Sequence, residues 1–446
     1  MNRQFYKSFF SLFALLVLQN VVTIAVNLAD NIMIGGYSEI ALSGVATVNQ
    51  VQFVYQQLLM ALADSLVIFG SRFFGEGNLP ALKRTAAIAM RAAFYIGIVM
   101  FALSSLFPYR LLSLFTDDAP IIEQGMTYLS IIRFTYLFFA ITQILLGTLR
   151  SIQSVRIAFV LSLVAFCVNC GINYVLIYGR FGAPEMGTEG AAIGTLTARV
   201  TELLILLLFI GRREKTLKLR FFDFLGRDRT LRRDYTRIAI PNVIASALWG
   251  LNVAMQTVIL GHMTASAIAA NSISSTLYLL LKSAAVGAVS ASAVTIGRII
   301  GLEGEAAAKR ASVRLQRIFV VIGITAGILI HLISEPIIGL YSLSEETRQL
   351  TVTFMMIQTV ALVFMSYQMP TNCGIVKGGG SVDYVLKLDF ISIWCIVIPV
   401  SLLAAFVFDA SPAVVVCCLN ADQVFKCIPA YIKVNHCNWI KRIVSE

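Results

Sequence analysis

Charged side chains are scarce. Only 13% of the 446 residues are Asp, Glu, Lys or Arg, against about 25% in an ordinary soluble domain. So little polar surface cannot cover a water-soluble particle of this length. The sequence also lacks a GxxxxGK[ST] loop, and no polar stretch is long enough to form a nucleotide-binding domain; nucleotide hydrolysis is therefore excluded as a direct energy source. HExxH, GxSxG and a Cys/His cluster are missing, so the chain reads as a non-enzyme without a cofactor. His262, His331 and His436 are scattered as loop-edge or interfacial residues. The one CxxC spacing among the eight cysteines, Cys167-Val-Asn-Cys170, lies inside an apolar run, and most of the others lie in or beside such runs. They behave as small apolar residues, and neither a structural disulfide nor a metal site is expected.

What is abundant is apolar: 58% of residues are hydrophobic and mean hydropathy is +0.81. A membrane span needs about 20 mostly apolar residues. About twelve runs qualify, centred near Leu18, Leu58, Gly97, Phe138, Phe166, Leu203, Leu248, Leu281, Ile322, Val360, Val397 and Val416. The first, over residues 5–36, is too long for a signal-peptide core and is read as a retained span.

The net charge of +11 is distributed in a way that argues against nucleic acid. Ten Lys and Arg residues crowd residues 212–237 in mid-chain. Arg72, Lys83, Arg84 and Arg91 follow the second span; Arg298, Lys309, Arg310, Arg314 and Arg317 follow the eighth. Loops of opposite parity carry acids, with Arg110, Arg180 and Arg348 as exceptions. This is the positive-inside pattern. It puts both termini and the basic linker in the cytoplasm of a multi-pass protein of the plasma (inner) membrane, in contact with lipid.

Sliding the chain by 226 positions against itself shows a repeat. Gly35 meets Gly261, Ala41 meets Ala267, Arg72 meets Arg298 and Gly75 meets Gly301. Ala81, Lys83, Arg84 and Arg91 meet Ala307, Lys309, Arg310 and Arg317, and Leu114 meets Leu340. Arg150, Ser154 and Val155 meet Lys377, Ser381 and Val382 after one further residue. Basic loops alone can coincide; glycines and alanines in register with them point to duplication. The expected fold is an all-α membrane protein of twelve transmembrane helices in two six-helix pseudo-symmetric lobes. An even number of spans per lobe makes the repeat parallel. Residues 1–210 form the N-terminal lobe, 211–237 the cytoplasmic linker and 238–446 the C-terminal lobe. Binding sites in such folds lie near the midplane between halves, and alternating access follows if the halves rock.

Ionisable residues in spans are costly and mark candidate sites. Asp30 ends the apolar run of residues 21–29. A low-dielectric cavity favours a neutral carboxyl, which makes Asp30 a candidate proton carrier; with further oxygen ligands it suits Na+. The bland reading is an interfacial carboxylate. Its repeat partner is Gln256. Asp389 lies inside the eleventh span, Asp64 in the second and Lys282 in the eighth. A Lys282–Asp389 pair is one arrangement, and purely structural ion pairs are the alternative. Asn169 and Asn173 are four apart on one helix face, placed to ligate a cation, to bond a carboxylate or simply to join helices.

These residues sit in motifs that resemble the multidrug and toxic compound extrusion (MATE) family. The matching stretches are Asp30-Asn-Ile-Met-Ile-Gly-Gly, Phe-Gly-Glu-Gly-Asn at residues 74–78, and Asn169-Cys-Gly-Ile-Asn-Tyr-Val-Leu-Ile-Tyr-Gly. The Gly/Ala-rich residues 187–195, Ile240-Pro241 and Val376-Lys-Gly-Gly-Gly-Ser continue the likeness through most of the chain. The resemblance implies secondary active efflux of small organic, often cationic, compounds in antiport with H+ or Na+. The alternative is a flippase of the same superfamily, moving a lipid-linked substrate. By resemblance Asp30, Asn169, Asn173 and Thr195 form the cation-coupling site, with Na+ at Asp30 as the one metal ion envisaged. Asp389 matches a C-lobe carboxylate, which groups it with Lys282 and Gln256 as a C-lobe polar site. Three positions depart from the family. Trp249 stands where some members carry a glutamate, and Asp64 and Lys282 are not family residues. Asp64 and Trp249 are assigned to the substrate cavity, Trp249 as a surface for a flat cation or as a packing residue. A monomer is expected, since each chain holds both lobes.

Overall fold

A hydrocarbon environment offers no partner for free backbone N–H and C=O groups, so a spanning chain must satisfy them within helices or a closed barrel. This chain uses helices. The computed structural model describes residues 2–219, 223, 228–261, 263–338 and 344–441. His262, Leu340, Arg220 and Arg227 lie outside them.

The first half contains α1 (Asn2–Gly35), α2 (Glu39–Gly75), α3 (Leu79–Leu106), a short α4 (Pro108–Leu112), α5 (Ala119–Ile132), α6 (Thr135–Ser151), α7 (Arg156–Ile177) and α8 (Gly187–Arg212). The second contains α9 (Arg229–Gly261), α10 (Ala265–Glu303), α11 (Glu305–Ile338), α12 (Glu345–Met369), α13 (Val382–Asp389), α14 (Ile398–Leu402), α15 (Pro412–Phe425) and α16 (Cys427–His436). Among the described residues, eleven helical segments are long and apolar enough to cross a membrane. The pair α5 and α6, bent by 55° at Arg133 and Phe134, supplies a twelfth as one broken span. In the tenth and eleventh spans the helix widens to π turns at Pro370–Val376, Phe390–Val397 and Leu403–Val407. Pro370 and Pro399 bring no backbone N–H to an i→i−4 bond.

The repeat is visible in helix starts. α2 begins at Glu39 and α10 at Ala265, α3 at Leu79 and α11 at Glu305, α5 at Ala119 and α12 at Glu345, α7 at Arg156 and α13 at Val382. Each pair is 226 positions apart. The caps repeat too: Ser38 accepts from the Ala41 N–H, and Thr264 from the Ala267 N–H, both at 3.3 Å. Such a cap satisfies one of the four orphan donors at a helix start.

The chain divides into two compact units, Leu18–Ala239 and Met1–Val17 with Ile240–Glu446. The first turns of α1 thus belong with the second unit, where Val17 lies against Gly287 of α10; a Cβ on that glycine would sit 2.6 Å from Val17 Cγ2. The rest of α1 belongs to the first unit. Linker carboxylates bind the first unit's α3: Asp223 pairs with Lys83 at 2.9 Å and Asp228 with Arg84 at 3.3 Å.

Candidate functional site

The first unit brings Asp30, Asn169, Asn173 and Thr195 together. Their sequence separation is bridged by two close helix contacts. α1 is tied to α7 through the Tyr178 hydroxyl, which donates to the Met33 carbonyl at 2.7 Å, one turn beyond Asp30. α7 meets α8 at two small residues one turn apart: a Cβ on Gly190 would lie 2.8 Å from the Leu176 carbonyl carbon, and one on Gly194 would collide with Asn173 Oδ1. Small residues at i and i+4 let two membrane helices approach backbone to backbone.

That approach places a chain of polar atoms inside the unit. Asn173 Nδ2 donates to Asp30 Oδ1 at 2.7 Å and, more weakly, to Asn169 Oδ1 at 3.4 Å. Asn169 Nδ2 donates to Thr195 Oγ1 at 3.3 Å. Both asparagines are buried, and Asp30 is partly open. The Asn173 carbonyl oxygen is buried without a hydrogen-bond donor. Thr195 also meets the buried hydroxyl of Tyr128.

Two charged neighbours were not anticipated. Arg199 lies one turn beyond Thr195 on α8 and exerts its charge on Asp30. It is held by Glu202, Nη1 to Oε2 at 2.7 Å, and lies over the Phe139 ring at 5.2 Å. Among the described residues no Lys or Arg lies within salt-bridge distance of Asp30. The signal was present: Arg199 and Glu202 are charges within a span. They are three apart, so each offsets the other on one helix face. The carboxylate therefore meets neutral donors directly and a compensated cation behind them. Among the described residues no cluster of three or more His, Cys, Asp or Glu forms a metal site. The oxygens available to a cation are those of Asp30, the two amides and Thr195.

In the second unit the expected Lys282–Asp389 pair does not form. Asp389 instead accepts from Lys426 Nζ at 2.8 Å, and Asp422 pairs with the same ammonium at 3.0 Å. Lys426 lies one turn after Asp422 at the end of α15, within reach of both acids. The network continues through amides: Gln423 Nε2 donates to Asp422 at 2.9 Å, Gln368 to Gln423 at 2.8 Å and Asn372 to Gln368 at 3.3 Å. Lys282 packs against aromatic faces, 5.4 Å from the Trp249 ring centre and 5.9 Å from that of Tyr278. The cation over Trp249 is thus the protein's own. Gln256 Nε2 donates to Asn252 Oδ1 at 3.5 Å. Asp64 is half-exposed in the first unit and pairs with Arg150 at 3.1 Å.

The MatE family profile matches residues 16–175 and 241–403, covering both halves of the repeat. The chain belongs to the MatE family. It is a multi-pass membrane transporter of twelve helices in two lobes. Among similar proteins is "Probable multidrug resistance protein NorM" of Thermotoga maritima, 25% identical over 96% of this chain and 91% of the relative. "Probable multidrug resistance protein YoeA" of Bacillus subtilis is 24% identical over 86% of this chain and 84% of the relative. An outward-facing multidrug resistance MATE transporter shares the fold at TM-score 0.85 and 16% identity, with 96% of this chain and 95% of that one covered. The eukaryotic MATE transporter AtDTX14 does so at TM-score 0.85 and 15% identity, covering 99% and 97%.

Proposed function

We propose that this MatE-family chain is a secondary exporter of small organic compounds, driven by inward movement of H+ or Na+ and coupled at Asp30. The observation that carries the reading is the cluster of Asp30, Asn169, Asn173 and Thr195, a carboxylate on neutral donors within membrane-spanning helices. The multidrug-resistance names of the relatives support export as the direction. Both termini and the basic linker face the cytoplasm of the inner membrane, and the monomer is the working unit.

Coupling requires the ion to bind two access states with different affinity. The cluster offers a means. An ionised Asp30 accepts from Asn173 of α7; a protonated one turns one oxygen into a donor, and a bound Na+ draws the amide and threonine oxygens inward. Either event alters contacts among α1, α7 and α8 at once. Arg199, compensated by Glu202, supplies a positive background that favours release of the ion once the geometry changes.

The test is flux of two aromatic probes of opposite charge, ethidium and 2-naphthoate, in proteoliposomes with a Na+ gradient and a pH gradient imposed separately. Flux under one gradient identifies the coupling ion. Absence of flux under both, with folded protein, would overturn the export reading in favour of a flippase for a lipid-linked substrate.

A further inference from the structure

Lys282 is the ionisable group that the coupling cluster leaves unexplained. It lies on α10, 17 residues past Ala265 and 21 before Glu303, so its Cα is deep within a 39-residue helix. Phosphates of lipid headgroups sit near the ends of such a span. Its contacts are the faces of Trp249 and Tyr278, at 5.4 and 5.9 Å. No described carboxylate lies within salt-bridge distance. Asp422 acts on it electrostatically, but that carboxylate is committed to Lys426 at 3.0 Å and Gln423 at 2.9 Å.

An ammonium inside a span faces protein interior or a water-filled space, and it is retained where it has a partner. Ring faces attract the charge but take up none of the three N–H donors in conventional hydrogen bonds. Lys282 is partly open and Trp249 is 37% exposed. An incoming group that completes this arrangement carries an anion for the ammonium and a flat apolar body for the neighbouring aromatic surface.

We propose that Lys282 is a specificity-determining residue that selects substrates bearing a carboxylate or similar acid on an aromatic body. This rests on the export reading for its physiological meaning. It inverts the expectation of cationic cargo: a fixed ammonium repels an organic cation and rewards an organic acid. Anionic compounds and zwitterions with an exposed acid fit; permanently cationic dyes fit poorly.

The test compares 2-naphthoate with 1-naphthylmethylammonium, two probes of similar ring size and opposite charge. Proteoliposomes of the full chain in phosphatidylcholine, free of anionic lipid, are assayed under the gradient that drives transport. Wild type moves the acid faster than the amine. Lys282→Met lowers the acid-to-amine ratio about tenfold, the size of one charge-assisted contact, and Lys282→Arg restores it. A ratio unchanged by Lys282→Met, or a wild type that prefers the amine, overturns the proposal. Should neither probe move under any gradient, the export reading fails separately. Equilibrium dialysis on the solubilised full chain then decides: about tenfold weaker 2-naphthoate binding in Lys282→Met supports acid recognition. Equal binding by both proteins, or none by wild type, refutes it.

Discussion

Asp30 and Asp389 are both carboxylates inside membrane-spanning helices, yet their surroundings differ. Asp30 meets amide N–H donors, with Asn173 at 2.7 Å, and the nearest cation is already held by Glu202. Asp389 shares the buried ammonium of Lys426 with Asp422, at 2.8 and 3.0 Å. Neutral donors stabilise an ionised acid without forbidding its protonation, so the first arrangement can exchange an ion. The second holds two acids on one lysine, and any change of protonation there breaks a buried pair. The repeat makes the contrast sharper. Positions 226 beyond Asp30, Asn169 and Asn173 are Gln256, Cys395 and Pro399. Duplication supplied two similar scaffolds, and of Asp30 and its repeat partner only Asp30 is a carboxylate bonded to an amide.

The contrast can be broken most directly by Asp30→Asn. This variant keeps its shape and loses its charge; gradient-driven flux should fall to that of empty vesicles, with the unfolding temperature in detergent close to wild type. Flux near the wild-type level would remove Asp30 from the coupling role. Lys426→Met should act on stability, leaving the buried Asp422 without its counter-charge at a cost of about 3–5 kcal/mol, read as a large drop in unfolding temperature. A Lys426→Met protein as stable as wild type would show that the second cluster is no structural lock. Gly194→Ala tests the helix approach beneath the first cluster. Its Cβ collides with Asn173 Oδ1, and overpacking of this kind costs about 1–3 kcal/mol; half-maximal flux should need about tenfold more coupling ion. The smallest effect belongs to Asp64→Asn. Its half-exposed pair with Arg150 should contribute less than about 1 kcal/mol, with flux within twofold of wild type. A large loss of transport there would assign Asp64 to the cargo route after all.

Much of this arrangement is legible without coordinates. Twelve apolar runs and a 226-residue repeat follow from composition and register, because the membrane imposes length and helix on every span. The grouping of Asp30, Asn169, Asn173 and Thr195 is legible through the family motif, and the i, i+4 spacing of the asparagines gives half of it independently. Partners were harder to see. Lys426 lies beyond the most apolar part of the last span, whose helical residues run on to His436. Arg199 and Glu202 cancel in charge within three residues and leave the surrounding window apolar. The Lys282–Asp389 expectation failed for a related reason. Opposite charge alone does not select a pair when a second lysine, one turn from a second aspartate, lies closer.

The central claim is that the two units divide labour, with ion exchange at Asp30 and structural locking at Asp389. Gradient-driven flux per folded molecule, measured side by side for Asp30→Asn and Asp389→Asn, tests it most directly. The account predicts that Asp30→Asn loses the flux entirely, whereas Asp389→Asn unfolds at lower temperature and its folded fraction still responds to the gradient. Full gradient response in Asp30→Asn, with its loss in folded Asp389→Asn, would contradict it.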